Sequence, residues 1–237
     1  LQYKGDLLAA EQQFKTLLGR LPELEFPEAL MSTCYNGLGD IYRLLGDDDK
    51  AIRFTQEALT FARKQDNPML MADCYNDLSE LYRIREEFES AHDYVNRAIE
   101  LYEIMGADQA LRAHRNLGFL ALAEHDFARA YAIFDAIHAH VECSQESLQL
   151  TFAKAGLLPC VMMLGHHDRM LHHLAELERL LLQTRLRHRD IVFALKLTVV
   201  LYDQDVVFTP TTQLLSAHGT LRERLMTLID TLDVTTS

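Results

Sequence analysis

The chain has 237 residues, enough for one or two compact domains or one elongated array. Glycine and proline are scarce, at 10 and 5 residues, which disfavours a turn-rich β fold and suits long helices. The net charge of -12, from 23 basic and 35 acidic side chains, would repel a polyanion and supplies no basic stripe for a membrane surface. We therefore expect neither a nucleic-acid nor a membrane partner.

Internal repetition is the main signal in the chain. Residues 34–42 align with residues 74–82 at an offset of 40, with five of nine positions identical. The match continues downstream, reappears after a further step of 39, and extends backwards by a step of 41. The matching positions are Ala51 and Ala91, Ala58 and Ala98, then Leu117, Gly118 and Ala130, and, backwards, Ala10 and Phe14. Four units at nearly constant spacing indicate a repeat protein, of which the first unit is partial.

Each unit has the pattern of two helices. Apolar residues in the first half of the second unit are spaced by four, three and four, and the second half has a similar face. These positions are Cys34, Leu38, Ile41 and Leu45, then Ala51, Phe54, Ala58 and Phe61. Gly46 is suited to end one helix in the left-handed conformation, and Asp47 to cap the next. Pro27 and Pro68 fall in first turns, where a missing N–H costs little. The unit is therefore predicted to be an antiparallel helix pair.

The later elements depart from this pattern. Asp108, Asp126 and Ser144 are predicted helix caps. A fifth pair is predicted at about 145–164 and 167–186, separated by Gly165, with a kink or break at Pro159. A last pair is predicted at about 188–202 and 210–233, with Pro210 opening the final helix and a frayed tail after it. This pair would cap the apolar end of the stack.

The second unit carries a recognisable consensus. An aromatic residue, a Leu-Gly pair, a tyrosine, an inter-helix glycine and two alanines occur in order, as Tyr35, Leu38, Gly39, Tyr42, Gly46, Ala51 and Ala58. This run resembles the tetratricopeptide repeat family. The spacing of about 40 residues resembles the long-helix variant found in kinesin light chains, polarity adaptors and bacterial peptide-sensing regulators.

The resemblance implies an all-α fold, a right-handed α-solenoid of antiparallel helix hairpins. It divides the chain into repeats over 1–142, a divergent fifth hairpin over 143–186, and a C-terminal capping pair with its tail over 187–237. After the partial first unit, the repeats lie near 28–66, 68–106 and 108–142. Ser79 and Glu86 replace consensus glycines, and Ala121 replaces the tyrosine.

The first helix of each unit is expected to line the inner wall of such an array. Side chains there that point away from the packed face recur from unit to unit. They are Asn36, Asp40 and Arg43, then Asn76, Glu80 and Arg83, then Arg112, Arg115 and Phe119. In tetratricopeptide proteins the matching positions often hold an extended peptide. The alternative is that Asp40–Arg43 and Glu80–Arg83 are ion pairs that only decorate a helix.

Histidines invite a metal hypothesis at His166, His167, His172 and His173. No two of these four have the spacing that lets one helix face hold an ion with two imidazoles. A polar helix face that titrates at mildly acidic pH explains them better. We predict no metal, no cofactor and no catalytic residues, because no catalytic constellation is present.

The function predicted from the sequence is a protein- or peptide-binding scaffold or adaptor. The alternative is a sensor or autoinhibitory region of a larger bacterial signalling protein, such as a kinase or transcription regulator. The abrupt start at Leu1 favours an excised piece, with a covalently linked upstream domain as a further partner. Four cysteines without a C-x-x-C pair, and no membrane span or signal peptide, lead us to expect a cytoplasmic protein.

Overall fold

The fold was examined in a computed structural model, which describes residues 2–21, 27–142, 147–184, 186, 188–204 and 212–232. The part of the chain so described forms eleven α-helices and no strands. They are α1 (Gln2–Arg20), α2 (Pro27–Leu45), α3 (Asp48–Lys64), α4 (Pro68–Ile84), α5 (Phe88–Met105), α6 (Ala107–Ala123), α7 (Phe127–Glu142), α8 (Ser147–Met163), α9 (His167–Thr184), α10 (Arg189–Asp203) and α11 (Thr212–Leu232). The predicted all-helical class is confirmed.

The helices form two compact units, Leu1–Asn116 and Leu117–Ser237, which divide within α6. The boundary expected from the sequence, after residue 142, falls between α7 and α8 and stays a proposal. In unit 1, α1 packs on α2, α2 on α3, α3 on α4, and α4 on α5. In unit 2, α8 packs on α7, α9 and α10, and residues 151–162 of α8 are all buried. Each unit is thus built from successively packed helices.

A left-handed residue closes the turns between helices at regular intervals. Gly46 has a φ of 78°, and the next residue donates its N–H to the carbonyl of Tyr42. The same turn recurs at Glu86, His125 and Gly165, with φ between 60° and 74°. Glu86 and His125 adopt this conformation at a cost that glycine would avoid, because their Cβ atoms crowd the backbone. The repeat geometry therefore overrides local preference.

Helix starts follow the predicted caps where they are described. Asp47 accepts a hydrogen bond from the backbone N–H of Lys50, and Asp126 accepts one from that of Arg129. Pro68 opens α4 after the cap Asn67, and Pro27 opens α2. The side chains of Asp108 and Ser144, together with residues 205–211 and 233–237, lie outside the described residues. The expected break at Pro159 does not occur, since α8 continues to Met163.

Small residues allow the first and second helices of a pair to approach closely. A Cβ atom on Gly39 of α2 would lie 2.6 Å from Oγ1 of Thr55 on α3. Ala51 and Ala58 of α3 are fully buried, and Ser32 donates its hydroxyl hydrogen to the carbonyl of Ala58 at 3.0 Å. The short side chains at these crossings bring α2 and α3 into backbone contact.

Apolar residues at the repeated positions form the core of each unit. Cys34, Leu38, Cys74 and Leu78 are buried at matching places in α2 and α4. Among the helices that the structure describes, none combines the length and the apolar character needed to cross a lipid bilayer.

Candidate functional site

The first helices of successive pairs, α2, α4 and α6, share a polar face in unit 1. On α4 this face carries Asp73, Asn76, Asp77, Glu80 and Arg83, at positions i, i+3, i+4, i+7 and i+10, which lie on one side of the helix. Arg43 of α2, which also binds Asp40, contacts it from one flank, and Arg112 and Asn116 of α6 contact it from the other. We call this set the polar face; it also includes Asn36 of α2 and Arg115 of α6.

Arg43 joins α2 to α4 on this face. Its Nη1 donates to Oε1 of Glu80 at 3.1 Å, and its Nη2 donates to Oδ1 of Asp40 at 3.2 Å. The negative charge of Glu80, before those of Asp77 and Asp40, raises the pKa of the Arg43 guanidinium above its usual value. Arg43 therefore stays charged and ties the two helices together.

Arg112 plays the corresponding part between α4 and α6. Its Nη1 donates to Oδ1 of Asp73 at 3.0 Å, and its Nη2 lies 3.5 Å from Oδ1 of Asp77. Asp73 also accepts the hydroxyl hydrogen of Tyr102 at 2.5 Å. Burial, followed by this bond to Asp73, raises the pKa of Tyr102, so the tyrosine remains a donor.

Asp77 has a strongly perturbed carboxyl group. Burial, followed by the nearby charge of Asp40, raises its pKa to about 7, although Arg112 and Arg43 act in the opposite direction. The desolvation of the carboxylate and its repulsion from other acids outweigh the two guanidinium groups. The carboxyl of Asp77 is thus poised to change its charge near neutral pH.

Asn36 and Asn76 occupy equivalent positions of α2 and α4, and Asn116 lies on α6 one residue beyond the equivalent position. Asn116 donates from Nδ2 to Oδ1 of Asn76 at 2.9 Å and to the carbonyl of Asn76 at 3.1 Å. Asn36 accepts a weak hydrogen bond from the thiol of Cys74 at 3.7 Å. We call Asn36, Asn76 and Asn116 the asparagine row.

Two polar atoms of this row are buried and have no hydrogen-bond partner among the described residues. They are the Nδ2 donor of Asn76 and the Oδ1 acceptor of Asn116. Both asparagines are 1% exposed. Asn116 was not among the residues selected from the sequence, because the repeat step of 39 leads from Asn76 to Arg115 and misses it by one residue.

The predicted ligand-contact residues are distributed unevenly between core and surface. Asn36, Asp40 and Arg43 are half-buried, and Arg112 is exposed. Asn76, Glu80, Arg83 and Arg115 are buried. Arginine and glutamate buried to this degree are normally paired, which fits the bonds of Glu80 described above.

Phe119, the predicted apolar anchor, belongs to unit 2 and lies in its core. Its side chain is fully buried, and its ring packs edge-on against Phe134 of α7 at 5.0 Å between centroids. A second edge-on contact joins it to Phe152 of α8 at 6.3 Å. A ring without exposed surface offers nothing to a partner, so Phe119 has no place in the polar face.

The histidine-rich segment contributes a different polar cluster, within unit 2. Lys154 of α8 is buried and forms an ion pair with Glu176 of α9. His173 places Nδ1 3.4 Å from the Lys154 ammonium, and His172 places Nε2 3.4 Å from Glu176. Burial and the charge of Lys154 lower the pKa of His173 to about 4. The cluster therefore compensates a buried lysine.

Comparison with known proteins identifies the repeats. The tetratricopeptide repeat family matches residues 30–104, the segment that spans most of α2 to α5. Residues 30–104 therefore carry tetratricopeptide repeats, as the consensus in the second unit predicted. Repeats of this family are protein-interaction scaffolds and are generally not enzymes. No curated protein matches the chain in sequence.

A solved structure extends the likeness beyond this segment. BtubC (BKLC) from P. vanneervenii, known from its crystal structure, is 22% identical to the chain, with a TM-score of 0.64. The match covers 79% of this chain and 78% of the BtubC chain. At this identity the likeness shows the fold alone, and it agrees with the predicted α-solenoid of helix hairpins.

Proposed function

We propose that the polar face of unit 1 binds an extended segment of a partner protein. The observation that carries the proposal is the pair of unsatisfied groups on Asn76 and Asn116, one a donor and one an acceptor. A peptide unit offers one carbonyl acceptor and one N–H donor, which complement this pair. The asparagines on the first helices of these two hairpins are thus suited to the polar groups of a peptide backbone.

The free-energy cost of the two unsatisfied groups also supports peptide binding at this face. A buried polar group without a partner costs roughly 1–3 kcal/mol, so two such groups are a substantial penalty in a folded domain. A bound peptide that satisfied both groups would recover that free energy, which favours binding without the need for a large apolar interface.

A partner is expected to reach the asparagine row from its more exposed side. Asn36 is half-buried, and the side chains of Asp40 and Arg112, which flank the row, are each 44% exposed. Because Asn76 and Asn116 are 1% exposed, a partner reaches them only after neighbouring side chains rearrange. Arg112 is a long side chain beside the row, 44% exposed, and is the natural one to move.

The test is selection of random twelve-residue peptides displayed on phage, followed by synthesis of the selected peptides. Their affinity for the whole chain is then measured by fluorescence anisotropy. We expect Asn36→Ala to weaken binding by about tenfold, the effect of one lost hydrogen bond of about 1.4 kcal/mol. Asn96→Ala is the matched control, since Asn96 is exposed on α5, outside the polar face.

Thermal melts of both variants must remain close to that of the parent chain, so that lost binding is not lost folding. Failure to select any peptide, or peptides whose affinity is equally insensitive to Asn36→Ala and Asn96→Ala, would refute the proposal.

A further inference from the structure

We propose that the bound segment carries a basic side chain, a lysine or an arginine, which is held by Asp40, Asp73 and Asp77. This inference rests on the proposed function and specifies its ligand. It assigns the backbone of the segment to the asparagine row and its cationic side chain to the aspartates beside that row.

The arrangement of charges on the polar face leads to this assignment. Arg43 is shared between Asp40 and Glu80, and Arg112 is shared between Asp73 and Asp77. Each guanidinium thus serves two carboxylates. A carboxylate can accept several hydrogen bonds, so the oxygens of Asp40 and Asp77 have capacity for a further donor.

The charge balance around Asp77 points in the same direction. Burial, followed by the charge of Asp40, raises its pKa to about 7, and the opposing charges of Arg112 and Arg43 do not offset this effect. Arg83 of α4 and Arg115 of α6 are not among the leading influences on it. The immediate surroundings of Asp77 therefore favour an additional positive charge.

A second and independent observation joins this cluster to a ligand. Asn76 precedes Asp77 on α4 and lies on the same face, between Asp73 and Glu80. It is 1% exposed, and its Nδ2 group has no hydrogen-bond acceptor among the described residues. A peptide carbonyl that accepted from this group would bring a neighbouring side chain of the same peptide next to the aspartates.

The geometry also favours a long side chain over a free cation. Asp40 is the most open of the three aspartates, while Asp77 is buried. Lysine and arginine carry their charge at the end of a flexible apolar stem, which can pass the outer carboxylate and reach the inner one.

The experiment uses two capped heptapeptides of Gly, Ser and Ala that differ only in the central residue, which is Arg in one and Glu in the other. They are titrated into the whole chain labelled with ¹⁵N, and the side-chain amide signals of Asn76 and Asn116 are followed. We expect the Arg peptide to shift both signals and to bind about tenfold more tightly than the Glu peptide.

Two variants locate the charge effect. Asp77→Asn should reduce the preference for Arg over Glu to about onefold to threefold while the shift at Asn76 is retained. Asp93→Asn, which removes an exposed aspartate of α5, should leave the preference unchanged. Because a bound cation favours ionised Asp77, binding of the Arg peptide should also be stronger at about pH 8 than at about pH 6.

The outcomes separate this inference from the proposed function. Equal or tighter binding of the Glu peptide, with shifts at Asn76 and Asn116, would overturn the basic side chain but leave peptide binding standing. Both proposals would be overturned if neither peptide shifts the signals of Asn76 and Asn116 and the amide protons of these side chains exchange with bound water.

Discussion

Asn116 on α6 donates a hydrogen bond to the side-chain oxygen of Asn76 on α4, the asparagine that lies forty residues earlier. The repeat step is 39 residues at this point, so Asn116 lies one residue beyond the position equivalent to Asn76, and the bond joins neighbouring positions of two successive hairpins. It connects the first helices of those hairpins inside unit 1. It also leaves one donor and one acceptor of the pair without partners among the described residues.

The first prediction concerns this bond. Replacing Asn116 by Ala removes two hydrogen bonds to Asn76 and takes this donor away from its buried side-chain oxygen. We expect the free energy of unfolding to fall by about 1–3 kcal/mol, measured by urea denaturation. The exposed Asn96→Ala should change it by less than about 0.5 kcal/mol. A loss at Asn116 as small as that at Asn96 would show that the bond contributes nothing.

The second prediction concerns close packing in unit 2. A Cβ atom on Gly156 of α8 would overlap the ring of Phe134, which is fully buried. Gly156→Ala should therefore destabilise the chain by about 1–3 kcal/mol, although alanine is the better helix former.

The matched control for Gly156→Ala is Gly19→Ala in α1, where a Cβ meets nothing within 4 Å. That change should stabilise by up to about 1 kcal/mol. Adding Phe134→Leu should recover part of the loss at Gly156, because the smaller side chain vacates the space. The interpretation fails if Gly156→Ala is as favourable as Gly19→Ala.

The third prediction concerns the pH dependence that Asp77 imparts. Its pKa is about 7 in the folded chain and near 3.8 when unfolded, so the folded state retains a proton over this interval. The contribution of Asp77 to stability is therefore present below about pH 4 and is lost as the pH rises through 7.

Asp77→Asn mimics the protonated carboxyl. Its effect on the free energy of unfolding should therefore be more favourable at about pH 8 than at about pH 5, by an amount on the order of 1–3 kcal/mol. Chemical denaturation at both pH values measures the difference. Asp93→Asn, at an exposed site, should show no such dependence. A parallel pH profile for the parent chain and Asp77→Asn would contradict the prediction.

The fourth prediction concerns the cluster around Lys154. The pKa of His173 is lowered to about 4, mainly by burial and then by Lys154, from a usual value of 6.5. Below 6.5 the unfolded chain binds a proton that the folded chain resists, so stability is lost as the pH falls toward 4.

His173→Asn, which cannot be protonated, should reduce the decrease in melting temperature between about pH 7 and pH 5 by roughly a few degrees. His166 is exposed, and His166→Asn should preserve the decrease. If both variants melt with the pH profile of the parent, the titration of His173 makes no contribution to stability.

Much of the local structure could be read from individual residues. Gly46, Asp47 and Pro68 predicted the ends and starts of helices because each acts on the backbone next to it. Glu86 shows the limit of such reasoning, since it adopts the left-handed turn that its own side chain disfavours. Pro159 shows another, because the eleven other buried residues of α8 hold the helix together across the missing N–H.

The candidate site was predicted less completely than the fold. Asn36, Asp40 and Arg43 are half-buried and Arg112 is exposed, so they stay proposed contacts, whereas Phe119 lies in the core of unit 2. Helical periodicity alone does not distinguish an inner wall from a core position in the next helix, because both lie on a regular stripe. The sensor or autoinhibitory alternative stays a prediction, since no described residue bears on it.

The sequence by itself determined the helical class, the forty-residue repeat and the positions of the turns, because these depend on spacing, small residues and backbone preferences. Only the tertiary structure decided which polar side chains meet one another. The sharing of Arg43 and Arg112 between acids, the raised pKa of Asp77 and the unsatisfied groups of Asn76 and Asn116 all depend on distances between helices. Those distances follow from packing, which the order of residues along one helix does not specify.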